Sequence, residues 1–274
     1  MTWLRKITCA LGLTTLGTLA VPGCADNDSM LFVEGVLAIE ATDCVAKPES
    51  GALMRAAGTL DLSLRSGYRA ALLVGSQLTQ RGSREQLRTE SARLALKGAD
   101  ITLQDAYARD LVLGDSPNPF STIGSGFVNP AGGTDPGLGV IFVDVIPAAL
   151  VPAVASAVQG SGLVLAKIKV FGETLGGQKI ESGEYLYPIQ ICSGCLVSYP
   201  TSTNTGTLGT FTCTAPAQAT ESTVCAIGQD QVVPCTECAG VNAVCNDPCN
   251  NCAVRANPAN AGLCTNPAPT DCGQ

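Results

Sequence analysis

The chain has 274 residues, long enough for one large domain or two modest ones, with 46 % hydrophobic and 14 % charged residues. That composition excludes disorder over the whole length. The sequence has no histidine, which excludes Ser-His-Asp triads, Cys-His dyads and His-ligated metals, and its net charge of −7 speaks against a nucleic-acid partner bound through a basic face.

At the N-terminus, Arg5 and Lys6 precede an apolar stretch from Ile7 to Ala20. That is the layout of a secretory signal peptide. The stretch is shorter than the ~20 residues a spanning helix needs, and Gly12, Gly17 and four threonines interrupt it. The following run Leu19-Ala20-Val21-Pro22-Gly23-Cys24 resembles the lipobox of bacterial lipoproteins. Val21 stands at the aliphatic position, Gly23 at the small one and Cys24 at the acylated cysteine, while Pro22 departs from the pattern. The resemblance implies a diacylglycerol thioether and an amide-linked acyl chain such as palmitate on Cys24, together more than enough for stable anchoring. Ala25, not Asp, follows the cysteine, so the resemblance implies the outer membrane. The competing reading is ordinary cleavage after Ala20, with Cys24 left as a disulfide partner.

Of 14 cysteines, Cys9 departs with the signal and Cys24 takes lipid, leaving an even number: Cys44, Cys192, Cys195, Cys213, Cys225, Cys235, Cys238, Cys245, Cys249, Cys252, Cys264 and Cys272. In an exported chain these are disulfide candidates. Because 11 of the 12 follow Ile191, complete pairing within one chain requires a tail cysteine to reach Cys44.

The organisation expected is a signal peptide (1–23), a lipidated tether (24–29), a β-sandwich domain (30–191) and a Cys-rich, disulfide-stapled tail (192–274). The tail carries one basic residue, Arg255, against Glu221, Asp230, Glu237, Asp247 and Asp271. In the body, Leu31 to Ile39 opens as a strand. Leu60, Leu62 and Leu64 alternate with polar residues, as do Leu94 with Leu96 and Ile101 with Leu103, placing each apolar set on one strand face. Further strands are expected at Tyr68 to Leu78, Asp110 to Leu113, Leu138 to Val145, Leu163 to Phe171 and Glu184 to Ile191. Gly176-Gly177 offers a tight hairpin before Ile180. Arg81 to Arg93 reads as a polar connection, and Pro147 to Gln159 as a short helix capping the sandwich. The fold class is all-β. The strand order resembles immunoglobulin-like sandwiches, including the late-embryogenesis and water-stress type, and the body is followed by a disulfide-rich, loop-dominated C-terminal tail.

Four features could carry chemistry. The CxxC pairs Cys192/Cys195, Cys235/Cys238 and Cys249/Cys252 have the spacing of zinc ribbons, but behind a signal peptide oxidation to structural disulfides competes with metal. The first pair also ends a strand with no following helix to acidify a thiol. Cys225 to Cys235 frames Gly228-Gln229-Asp230 and has the look of a small loop closed by sulfur; it resembles loops of predicted lipoproteins. Asn246, Asp247, Asn250 and Asn251 offer oxygen ligands without EF-hand spacing. Arg81, Arg84, Arg88 and Arg93 are interleaved with Glu85 and Glu90, the pattern of a solvated connection. Tyr185, Tyr187 and Tyr199 are expected to serve packing. No catalytic, metal or cofactor residues are assigned. The expected role is that of a lipid-anchored cell-envelope protein acting structurally or through binding, held to the membrane by its N-terminal lipid and facing an unknown envelope or extracellular partner; the alternative is an exported histidine-free enzyme, either a carboxylate-pair hydrolase or a CxxC thiol oxidoreductase.

Overall fold

The computed structural model describes residues 30–39, 43–82, 90–158, 162–198, 225–238, 245 and 249. The strands are β1 (Leu31–Leu37), β2 (Met54–Arg55), β3 (Gly58–Asp61), β4 (Tyr68–Ser76), β5 (Leu94–Gln104), β6 (Phe120–Val128), β7 (Gly137–Ile146), β8 (Gly162–Thr174), β9 (Lys179–Glu181), β10 (Tyr185–Cys192), β11 (Val197–Ser198) and β12 (Val233–Pro234). One sheet has the order β2-β1-β4-β7. The other runs β3-β10-β8-β5-β6, with β9 also on β8. The architecture is an all-β sandwich with a disulfide-bonded tail packed on one end.

Leu72, Val74, Ile141 and Val143 of the first sheet and Ile101, Leu103, Ile168, Val170, Ile189 and Ile191 of the second belong to one buried cluster. On β8 the alternation is clean: Val164, Ala166, Ile168 and Val170 are buried, while Lys167 and Lys169 keep about a third of their side chains in solvent, paired with Glu184 and Glu181. β4 is instead continuously apolar from Ala70 to Val74, because both its faces are covered there. Leu72 and Val74 face the main core, and Leu73 with Ala71 packs under Ala46, Ala52 and Met54 of the segment that follows β1. Pro147 to Gln159, read as a helical cap, begins with a 3-10 turn (Ala148–Leu150) and continues as α1 (Val151–Ala157), which inserts Leu150 and Val154 into the core.

Several expectations need correction. Leu62 and Leu64 do not continue a strand from Leu60. β3 ends at Asp61, whose carbonyl accepts the N–H groups of Leu64 and Arg65 and whose carboxylate accepts the Ser63 N–H, so the chain turns there. Asp110 to Leu113 makes only a single bridge, Asp110 to Gln104. The two alternating pairs Leu94/Leu96 and Ile101/Leu103 have opposite parity yet belong to one strand. A bulge between Leu96 and Gly98 shifts the register so that both pairs face inward.

β6, Phe-Ser-Thr-Ile-Gly-Ser-Gly-Phe-Val, lacks an apolar alternation and is not expected from the sequence. Its glycines explain its place. β6 and β7 close one side of the sandwich, and a Cβ on Gly126 would fall on the Val140 carbonyl oxygen, one on Gly139 on that of Phe127. Only backbone without side chains lets the two sheets meet this closely.

The two ends of the sandwich differ. Leu31, Ser76, Val128, Leu94, Thr174 and Gly137 lie at one end, where the chain enters from the N-terminal side. Cys192, Asp61, Gln104 and Ile146 mark the other, from which the tail departs.

Candidate functional site

The tail returns to the body through Gly228-Gln229-Asp230. Gly228 has φ +82°, and a Cβ there would meet the Cβ atoms of Leu64 (2.7 Å) and Arg65 (2.8 Å), so only glycine lets the loop lie on the turn after β3. The Gly228 carbonyl accepts the Asp61 N–H (2.9 Å). Gln229 then treats β4 as a strand partner would: its amide donates to the Arg69 carbonyl (2.7 Å) and its oxygen accepts the Arg69 N–H (3.1 Å). This fills the hydrogen-bonding positions at the register shift between Tyr68 and Arg69.

Asp230 completes the latch. It sits at φ +64°, with its side chain 10 % exposed. Its carboxylate accepts the Thr59 N–H (2.8 Å) and the Tyr68 hydroxyl (2.9 Å) and lies 3.8 Å from Arg55 Nε. Arg55 also donates to the Asp230 carbonyl (3.2 Å). The Tyr68 hydroxyl in turn lies 3.0 Å from that of Tyr187, both rings being buried. A carboxylate from the tail thus serves as shared acceptor for the Thr59 N–H and the Tyr68 hydroxyl and as counter-charge for Arg55.

Burial, and next to it the charge of Asp230, pushes the Tyr68 phenol far above its ordinary value; burial pushes that of Tyr187 up to about 12. Both stay neutral in the fold beyond the ~10 at which an unfolded tyrosine ionises. Because the folded values are raised, the stability these groups contribute is complete below pH ~10 and is lost as the pH rises toward and past 12. The urea midpoint should therefore fall steeply above pH ~10, with phenolate absorbance growing only as the chain unfolds, and Tyr68→Phe should flatten this dependence.

A second buried carboxylate, Asp61, anchors the other side of the junction. Its oxygens accept the N–H groups of Gly194 (2.7 Å), Leu196 (2.9 Å) and Ser63 (3.0 Å) and the Ser63 hydroxyl (2.5 Å). Asp61 thereby fixes the loop from Cys192 to Cys195, which closes on itself as a disulfide at the end of β10. Asp61 and these two sulfurs form a compact group of metal-ligand types. With the sulfurs bonded to each other and the carboxylate accepting four donors, the group is built as a structural anchor.

The remaining cysteines distribute unlike the small closed loop expected between Cys225 and Cys235. Cys225 bonds to Cys44, 181 residues away, tying the tail to the segment after β1. Cys238 bonds to Cys245, and Cys235 and Cys249 are disulfide-bonded as well. The 225–235 loop is held by the Gln229 and Asp230 contacts in place of a bond between its ends. Val197, Val233, Cys235, Cys238 and Cys245 form a small core of their own, with Leu64 and Ile227 packed on it. Cys24, Cys213, Cys252, Cys264 and Cys272, the signal and lipobox, and Asn246, Asp247, Asn250 and Asn251 lie outside the described residues, as do Arg84, Arg88 and Tyr199. Arg93 lies over the Phe127 ring (4.7 Å), and Tyr185 stacks on Tyr187. Among the described residues no helix is long and apolar enough to cross a membrane.

Sequence reasoning singled out the Gly-Gln-Asp triplet without its role and passed over Asp61, Thr59 and Tyr68. The available signal was a glycine followed by two hydrogen-bonding side chains in a cysteine-framed loop.

No protein-family profile matches this chain, and no curated protein matches it. A solution structure of a protein described as late embryogenesis abundant is 16 % identical over 50 % of this chain and 71 % of its own, with a TM-score of 0.24, too slight a likeness to bear on function.

Proposed function

We infer that this is an exported, lipid-anchored protein of the bacterial cell envelope, held on the outer membrane through Cys24 and acting through binding or structure. The observation that carries the reading is the bond from Cys44 to Cys225, which joins body to tail across 181 residues. A staple of that span, with further disulfides in the tail, suits a chain that matures in an oxidising compartment. The lipobox-like Val21-Pro22-Gly23-Cys24 supplies the anchor. The short stretch from Cys24 to Leu31 reaches at most about 25 Å, so the sandwich would stand directly on the bilayer. Labelled palmitate should enter the wild-type chain and not Cys24→Ala, which should move from the membrane to the soluble fraction. Unlabelled wild-type protein, or unchanged localisation of the variant, removes the anchor from the account.

A further inference from the structure

We propose that the groove between the turn after β3, the end of β7 and the tail loop binds a carboxylate carried on a small apolar body, with the Arg65 guanidinium as its receptor. This gives the binding role inferred above a ligand class, and it stands or falls apart from the lipid anchor.

Arg65 is what points to a ligand. Among the described residues four cationic side chains are half-buried, and three of them, Arg55, Lys167 and Lys169, face the carboxylates of Asp230, Glu184 and Glu181. Arg65 faces none. Its Nε donates to the Gly67 carbonyl (3.1 Å), and its two Nη groups have no acceptor among the described residues. A guanidinium drawn partly out of water without a counter-charge costs stability, and an arriving oxyanion removes that cost. The fork is also held beforehand. The Arg65 N–H donates to the Asp61 carbonyl (3.0 Å), and the loop at Gly228 lies against the Arg65 backbone and Cβ. Binding therefore has little residual freedom to remove.

The groove that Arg65 lines holds about 400 Å³, room for a small organic ligand. Leu64, Ile146, Pro147 and Ile227 supply its apolar walls, and Ser66, Arg69 and Asp144 the rest of its polar side chains. Charge selects the headgroup. Arg69 stacks on Phe142 and lies 3.7 Å through its Nε from Asp144, so this pair is balanced and Arg65 leaves one positive charge over. Asp61 does not line the groove; its carboxylate is taken up by the N–H groups of Gly194, Leu196 and Ser63, while Asp230 faces Arg55. One unmatched guanidinium, planar and forked, fits a single carboxylate, whereas a phosphate dianion brings one charge too many. Ile227 belongs to the tail, two residues after Cys225 and one before Gly228. The latch and the Cys44–Cys225 staple thus complete one wall of the groove.

The isotope-labelled, disulfide-intact full chain is titrated with four probes while amide shifts are followed: N-acetyl-leucine, N-acetyl-leucinamide (the same body without the carboxylate), hexanoate and inorganic phosphate. Both carboxylates should shift the amides of Arg65, Ser66, Ala148 and Ile227; the tighter of the two tells a peptide end from a fatty acid as the source. N-acetyl-leucinamide should bind about 20-fold more weakly than the acid, and Arg65→Ala should weaken N-acetyl-leucine by the same factor. Arg65→Lys keeps the charge without the fork and should cost about 5-fold. Asp144→Asn removes the groove's own carboxylate and should tighten binding about 3-fold, a gain that loss of folding cannot imitate. The urea midpoint of Arg65→Ala is measured alongside, because that variant also loses its bond to Gly67; should it not fold, Arg65→Lys and Asp144→Asn decide. No shift with either carboxylate, equal affinity for acid and amide, phosphate bound more tightly than both carboxylates, or a folded Arg65→Ala that binds as wild type overturns the proposal. Each of these results leaves palmitate labelling of Cys24, and with it the anchor, untouched.

Discussion

Asp230→Ala is expected to lower unfolding stability by about 4 kcal/mol, a loss seen as an earlier urea midpoint. The carboxylate is the common acceptor for Thr59 N–H and the Tyr68 hydroxyl and faces Arg55, all across the junction of tail and body. Its removal leaves the half-buried Thr59 N–H without its acceptor, leaves the Tyr68 phenol with the Tyr187 hydroxyl alone, and takes the counter-charge from a guanidinium only 25 % exposed. Alanine is also poorly suited to φ +64°. Asp230→Asn separates the contributions, since asparagine tolerates that backbone and keeps an acceptor; it should cost about 2 kcal/mol. If Asp230 acts through Tyr68, Asp230→Asn combined with Tyr68→Phe should cost less than the sum of the two single changes. Strict additivity would show that the two do not act as one unit.

The second large effect belongs to Cys44–Cys225. Replacing both cysteines with serine frees a loop of 181 residues and, on the chain-entropy estimate, costs about 5 kcal/mol. For a domain whose whole stability is ordinarily about 5–15 kcal/mol, that is a large share. The same replacement at Cys192 and Cys195, three residues apart, should cost only about 2 kcal/mol by that arithmetic, because the loop it frees is so short, and Asp61 continues to hold that loop through Gly194 and Leu196. Equilibrium unfolding of the two double variants side by side checks the ordering; equal losses would contradict a staple that works through loop length.

The sandwich was legible wherever one face of a strand is buried and the other is wet. β8 and β10 announce themselves by alternation, and the helical cap by an apolar stretch opening after Pro147. Reading failed where backbone geometry substitutes for side-chain pattern. β6 is joined to β7 through glycines that exist to remove Cβ atoms, and their spacing looks like loop composition. At Asp61 the carboxylate converts an apparent strand into a turn, an effect of one side chain's hydrogen bonds that Leu60-Xaa-Leu62-Xaa-Leu64 does not reveal. Cysteine parity demanded a tail partner for Cys44, and the structure supplies Cys225; parity could not say which tail cysteine it would be. The latch was least legible of all. Asp230 meets Thr59, Tyr68 and Arg55 only because the tail folds back over more than 160 residues, and no local pattern encodes such a meeting.

Whether the protein is an exported, anchored disulfide scaffold is decided by the intact mass of the chain purified from membranes, before and after reduction and alkylation. The expected result is a polypeptide beginning at triacylated Cys24, with 12 cysteines becoming alkylatable only after reduction. A chain that begins elsewhere, or thiols that alkylate without reduction, would contradict it.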